Sequence, residues 1–157
     1  MIKSIKNIKK ENGFTIVELL VVIIVIGILA AITIVSYNGI TARANATKAL
    51  ANADSVRAVA NAYNAELNTY PTLFSDLNTY SSGTGVVKIP SNITVIQSST
   101  NAITAANGLN TVSYLVKLTG SVGTGACIGY WNFAASTPAV TFILTGDATT
   151  ASPTICS

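Results

Sequence analysis

The stretch that most limits what this chain can become is residues 14–35, FTIVELLVVIIVIGILAAITIV, in which Glu18 is the single ionisable side chain. As a helix rising about 1.5 Å per residue it covers about 33 Å, enough to cross a hydrocarbon core of about 30 Å. A carboxylate inside such a span is costly unless it finds a partner, so Glu18 requires an explanation. Lys3, Lys6, Lys9 and Lys10 precede the run and only Glu11 opposes them. That asymmetry keeps the N-terminus in the cytoplasm and sends the chain beyond the span outward. A secretory signal begins in the same way but needs a small-x-small cleavage site directly after its apolar region. Cleavage after Ala30 or Ala31 would put Ile28 or Leu29 where a small residue is required, and Ala42-Arg43-Ala44 lies well beyond the run. A single-pass membrane protein is therefore expected.

At these residues the chain resembles the type IV pilin superfamily, which includes pilins, the pseudopilins of type II secretion and competence-pilus subunits. Gly13-Phe14-Thr15-Ile16-Val17-Glu18-Leu19-Leu20 is similar to the family's Gly-Phe-Ser/Thr-Leu-Ile/Val-Glu-Leu/Met-Leu signal, and Gly27-Ile28-Leu29-Ala30-Ala31-Ile32 fits its Gly-Ile-Leu-Ala-Ala-Ile continuation. The resemblance implies cleavage by a prepilin peptidase between Gly13 and Phe14, and methylation of the new Phe14 amine. It implies that Glu18 is an assembly residue, matched with the free amine of a neighbouring subunit. The implied partners are other pilin subunits in a homo- or hetero-polymer, the peptidase and an assembly platform in the membrane. The implied location is the cell membrane and then an extracellular filament. Beyond Tyr37 the likeness is architectural only. One departure is Val35, where many members carry proline; here only Gly27 weakens the helix, by about 1 kcal/mol relative to alanine, so unwinding near Gly27 stays open. The alternative for the whole stretch is an uncleaved signal anchor with Glu18 near the interface.

The net charge of +3 equals the contribution of the leader, four lysines minus Glu11, which leaves a neutral chain from Phe14 onward. The pI near 9.0 is thus no argument for nucleic-acid binding, which needs a clustered basic face. There is no histidine, which removes the commonest general base and metal ligand. Asp54, Asp76 and Asp147 are too scattered to suggest a catalytic pair. The glycines of residues 120–125 loosely resemble a phosphate loop but lack its lysine and following helix, and read as a turn between strands. No enzyme activity, metal or cofactor is expected. Asn45-Ala46-Thr47 and Asn92-Ile93-Thr94 fit the glycosylation pattern and are assigned no role.

After the apolar run, residues 36–69 are proline-free and alanine-rich, which predicts an amphipathic continuation of the helix. Val56, Val59, Tyr63, Leu67 and Tyr70 recur at helical spacing and mark its expected core face. Tyr70-Pro71 is expected to end it. Residues 70–92 form a connecting region with a short helix at 72–77, capped by Thr72, and a loop at 81–85; residues 86–89 pair at most briefly before Pro90. The rest, 93–157, reads as the sheet part of a head, with strands at 93–97, 111–118, 127–133 and 139–145. Val112, Tyr114, Val116 and Leu118 point one way, Ser113 and Lys117 the other. Residues 120–125 and 134–138 connect antiparallel neighbours, and Trp131, Phe133 and Phe142 are expected in the core. Cys127 and Cys156 both lie on the side expected outside, where a disulfide is favoured. It would resemble the C-terminal disulfide loop of many pilins and constrain the unfolded chain by about 3.6 kcal/mol. Two separate buried thiols are the alternative.

The expected fold is α+β: a leader at 1–13, a long N-terminal helix with a transmembrane part at 14–35 and an amphipathic part, and a small antiparallel sheet packed on it. The expected function is that of a structural subunit of a type IV pilus-like filament. A minor pseudopilin of a type II secretion system is one alternative. A tail whose only carboxylate is Asp147 argues against the calcium-binding major pseudopilins. A membrane-anchored, adhesin-like binding module is another.

Overall fold

The computed structural model describes residues 13–83, 87–97, 102–136, 139–149, 151–152 and 155–157. The basic leader before Gly13, the loop residues 84–86 and residues 137–138 of the expected 134–138 connection lie outside the described residues. The elements are α1 (Ile16–Leu67), α2 (Phe74–Ser82), β1 (Thr94–Ile96), β2 (Thr111–Thr119), β3 (Val122–Asn132), β4 (Ala139–Gly146), β5 (Ala151–Ser152) and β6 (Ile155–Cys156). The chain divides into two compact units, Met1–Asn38 and Gly39–Ser157, and α1 contributes to both.

In the first unit α1 is apolar on every side, and all residues described from Gly13 to Ile34 are exposed. A helix hydrophobic all round is stable only when something apolar surrounds it. This one is long and apolar enough to cross a membrane.

In the second unit α1 buries Ala49, Ala53, Val56, Val59 and Ala60 against the sheet. The periodic face is thus mostly alanine. The face expected from the large residues drifts off this line. Val56 and Val59 are buried, Tyr63 is partly covered, but Leu67 is 54% exposed. Leu67 is the last residue of α1, and Asn68 follows in the left-handed region at φ 56°, a conformation asparagine tolerates better than most residues. The Asn68 amide closes the last turn on the Asn64 carbonyl at 2.8 Å. Asn68, not Tyr70-Pro71, therefore stops the helix.

The second helix also differs from expectation. It starts at Phe74, after Leu73, without a side-chain cap from Thr72, and it includes Ser81 and Ser82. Asp76 takes the capping role by accepting the Leu73 amide at 3.3 Å. Leu77 and Tyr80 are buried in the core, which is what carries the helix past the polar stretch.

The sheet order is β1-β2-β3-β4. β2–β3 and β3–β4 are antiparallel, but β1 runs parallel to β2, so the sheet is mixed rather than wholly antiparallel. A parallel pair needs a crossover of about a dozen residues or more, and the polar stretch 97–110 supplies it. The β2–β3 hairpin is tighter than the glycines of 120–125 suggest. Thr119 faces Val122, Gly120 takes φ 66° as first residue of a two-residue turn, and residues 122–125 belong to β3. Only glycine fits that position readily in such a turn. A register shift between Lys117 and Leu118 breaks the alternation there, and Leu118 ends up 52% exposed instead of facing the helix.

Val95, Val112, Tyr114, Ala126, Ile128 and Tyr130 form the sheet's contribution to the core with α1. Ser113 and Cys127, on the opposite pleat, are buried too. Trp131 and Phe142 stand on that second face by register and are half-buried; Phe133 packs at the edge of the core. The centre of the core is instead Tyr114 and Leu77.

Enlarging an alanine on the α1 face should lever the helix off the strands. Ala53→Leu is expected to destabilise the head by about 1–3 kcal/mol, read as a lower urea midpoint followed by tryptophan fluorescence. An unchanged midpoint would mean that the alanine face is not in close contact with the sheet.

Candidate functional site

The N-terminal end of α1 is built as a reciprocal cap. Gly13, Phe14 and Thr15 precede the helix. The Thr15 hydroxyl accepts the Glu18 amide at 3.2 Å, while Glu18 Oε2 accepts the Thr15 amide at 2.9 Å and the Thr15 hydroxyl at 2.7 Å. A helix start leaves its first amides without intrahelical partners, and Ser/Thr-x-x-Glu satisfies donors from both ends of the turn. The Thr-Ile-Val-Glu spacing makes Thr15 legible as a cap, whereas the family resemblance implies only an intermolecular partner for Glu18. In the structure Glu18 also has an intrachain one. Glu18 Oε1 takes no part in these bonds.

This cap sets the geometry of the segment ahead of it. The helix begins at Ile16, so the Gly13–Phe14 peptide bond lies in non-helical backbone, and the Phe14 side chain is 84% exposed.

The other candidate residues fall at separate places in the head. Cys127, buried in the middle of β3, is joined to Cys156 of β6 with Cα atoms 5.7 Å apart. The bond holds the C-terminal segment over the sheet face opposite α1. Lys117 reinforces the arrangement: its Nζ donates to the Asp147 carbonyl at 2.9 Å and lies 3.5 Å from the Asp147 carboxylate.

The three scattered aspartates remain apart. Asp54 pairs with Arg57 at 2.7 Å, Asp76 caps α2 and Asp147 holds Lys117. Among the described residues no group of three His, Cys, Asp or Glu could hold a metal ion. Burial pushes the Tyr114 phenol up from its ordinary value, and its Oη donates to the Pro71 carbonyl at 2.9 Å. Tyr114 therefore stays neutral and ties the turn after α1 to β2. Gly123 makes a second tie there. Its carbonyl accepts the Tyr70 amide at 2.8 Å, and a Cβ at Gly123 would collide with the Tyr70 carbonyl oxygen, so only glycine allows the approach.

Compared with known proteins, residues 8–34 match the family model described as the prokaryotic N-terminal methylation motif. A fimbrial protein of Pseudomonas aeruginosa is 50% identical over 42 residues, 27% of this chain and 27% of that protein. The type IV major pilin protein PilE1 of Neisseria gonorrhoeae is 45% identical over 40 residues, 26% of this chain and 24% of the relative. A fimbrial protein of Neisseria meningitidis serogroup B matches at 45% over the same shares. The chain thus spans about a quarter of the length of these curated relatives, 27% and 24%. No solved structure gives a significant match.

The Cys127–Cys156 bond yields a measurable expectation. Denatured, unreduced protein should take up no thiol label, and reduction should lower stability by about 2–5 kcal/mol, seen as a fall in urea midpoint. Quantitative labelling of both cysteines without reductant would show that the bond does not form.

Proposed function

We propose, from the match of residues 8–34 to the N-terminal methylation motif and the likeness of that segment to fimbrial and major pilin proteins, that the chain belongs to the type IV pilin family and is a structural subunit of a type IV pilus-like filament. The observation that carries this reading is the exposed Gly13–Phe14 bond directly ahead of a Thr15/Glu18-capped helix that is apolar on every side. Each part has a task in such a subunit. Before assembly, lipid surrounds the apolar helix and the Thr15 cap satisfies Glu18. Hydrolysis of the Gly13–Phe14 amide by a prepilin peptidase releases the basic leader and creates an amine on Phe14, which is then methylated. As subunits join, the helices exchange lipid for one another, and the Phe14 amine of one copy meets Glu18 of the next. Glu18 Oε1 is the oxygen left for it. In a low-dielectric surrounding, that attraction is far stronger than in water. The assembly platform draws subunits from the membrane, and the head of residues 39–157 is left outward as the extracellular surface.

Intact mass of the filament-derived subunit tests the processing. It should correspond to a chain starting at Phe14 with a methylated amine. A subunit that retains residues 1–13, or starts beyond Ala31, would rule the reading out.

Glu18 variants separate insertion from assembly. Glu18→Gln keeps a side chain able to complete the cap but removes the charge; Glu18→Ala removes both. Both should insert in the membrane at least as well as the parent, because a charge has been removed from the span. Both should reach the sheared-filament fraction roughly tenfold less, since a buried amine is left unpaired. Incorporation of Glu18→Gln at the parental level would show that the carboxylate charge has no assembly role.

A further inference from the structure

The ion pairs of the head leave opposite charges unmatched at two places. Arg57 pairs with Asp54 and Lys117 with Asp147, and among the described residues of the head no other ion pair occurs. The anions that remain are Glu66 and Asp76; the cations are Arg43, Lys48 and Lys88. Lys88 gives its Nζ to the Gly83 carbonyl at 2.9 Å. Arg43 and Lys48 stand exposed on α1, with no described carboxylate within ion-pairing distance.

Asp76 lines a cleft of about 370 Å³ together with Tyr63, Leu67, Thr79, Tyr80 and Gly83, and Glu66 is bonded to Tyr80 of that lining. Its floor is aromatic: the Tyr63 and Tyr80 rings meet edge to face, centroids 5.3 Å apart at 72°. The Tyr80 hydroxyl donates to Glu66 Oε1 at 2.6 Å, which fixes that carboxylate at the rim. Exposed Leu67 leaves an apolar edge with no cover. Aromatic faces and an apolar edge suit the methylene stem of a long cationic side chain, and the carboxylates suit its head.

We propose that this cleft is a contact between copies of the chain, and that it receives the Arg43 and Lys48 flank of α1 from a second copy. Lys48 and Glu66 lie on the same helix, 18 positions apart by number and about 27 Å along its axis. One chain cannot join its own pair. The contact is also heterologous, since one patch meets a different patch on the next copy, and such contacts propagate into open assemblies. The proposal rests on the filament function proposed for the chain and adds which head surfaces meet. In a parallel array, it sets neighbouring copies about 27 Å apart along their helices for a Lys48 contact and about 35 Å for an Arg43 contact.

The test is zero-length carbodiimide coupling, which joins lysine amines to carboxylates, applied to full-length chain co-produced in two isotopic forms. Peptides joining Lys48 of one form to Glu66 or Asp76 of the other are expected in sheared filaments. Arg43→Glu with Lys48→Glu should lower the filament fraction about tenfold or more, because like charges then face each other. Glu66→Lys should do the same, and combining Lys48→Glu with Glu66→Lys should restore most of it. Glu66→Gln, which can still accept the Tyr80 hydroxyl, should lower incorporation without loss of folding and separates lost charge from lost structure. If the parent makes filaments but no such cross-link forms and the reversals incorporate normally, the contact is wrong and the filament reading stands. If the parent makes none, the filament reading fails; the same cross-link in the membrane-bound pool then supports the contact, and its absence there overturns it.

Discussion

An apolar helix without a cover of its own is the constraint on which the rest of this protein depends. Within the first unit no described side chain from Phe14 to Ile34 is buried, so the free energy of that segment is set by its surroundings and not by the chain itself. Transfer of each Val, Leu, Ile or Phe side chain of the segment out of water is worth about 1.5–3 kcal/mol, and the sum over them far exceeds the stability of a small domain. Lipid or other copies of the same helix are the surroundings that satisfy it, and the proposed life of the subunit is a move from the first to the second.

The same helix changes character where it enters the second unit. There Ala49, Ala53, Val56, Val59 and Ala60 join the core, and the larger side chains that fill it come from the sheet and from α2: Tyr114, Ile128, Leu77 and Tyr80. Tertiary ties gather around the end of α1. Tyr70 and Thr69 bond Gly123 of β3, Asn61 accepts from Tyr70 and Thr145, and Tyr114 reaches Pro71. The disulfide performs the equivalent task on the far face, tying Cys156 of β6 to Cys127 of β3. A head of this size has a small core relative to its surface, and a covalent tether on its last strand compensates for that.

In the proposed assembly, Glu18 serves two states. A membrane-embedded carboxylate that waited for an intermolecular partner with nothing to bond would oppose insertion. The Thr15 cap gives it donors within its own turn, and those donors themselves would be bare without it. Because the cap engages Oε2 alone, a second partner can be added without first breaking the first interaction. On the proposed function, the helix start would need no rearrangement in passing from one environment to the other.

How much of this was present in the sequence depends on the range of the interactions concerned. The long apolar segment that begins the helix was legible because it rests on local composition; so was the succession of a long helix and then strands, written in period and turn residues. Thr15 as the cap was equally local, and its spacing to Glu18 was there to be read. What only the tertiary structure decided concerns partners distant in sequence. Alanines at 49, 53 and 60 look like helix propensity until a sheet is placed against them. Leu67 fits the apolar period but falls outside the core, because Asn68 turns the chain one residue later. The parallel pairing of β1 with β2 is invisible in strands whose residues would suit either direction, since the choice lies in the path of the intervening segment. The meeting of Asp76, Tyr63 and Tyr80 at one cleft, with Glu66 bonded to Tyr80, joins residues of α1 to residues of α2. Local pattern determines which element forms; which faces of those elements touch is a property of the packed whole.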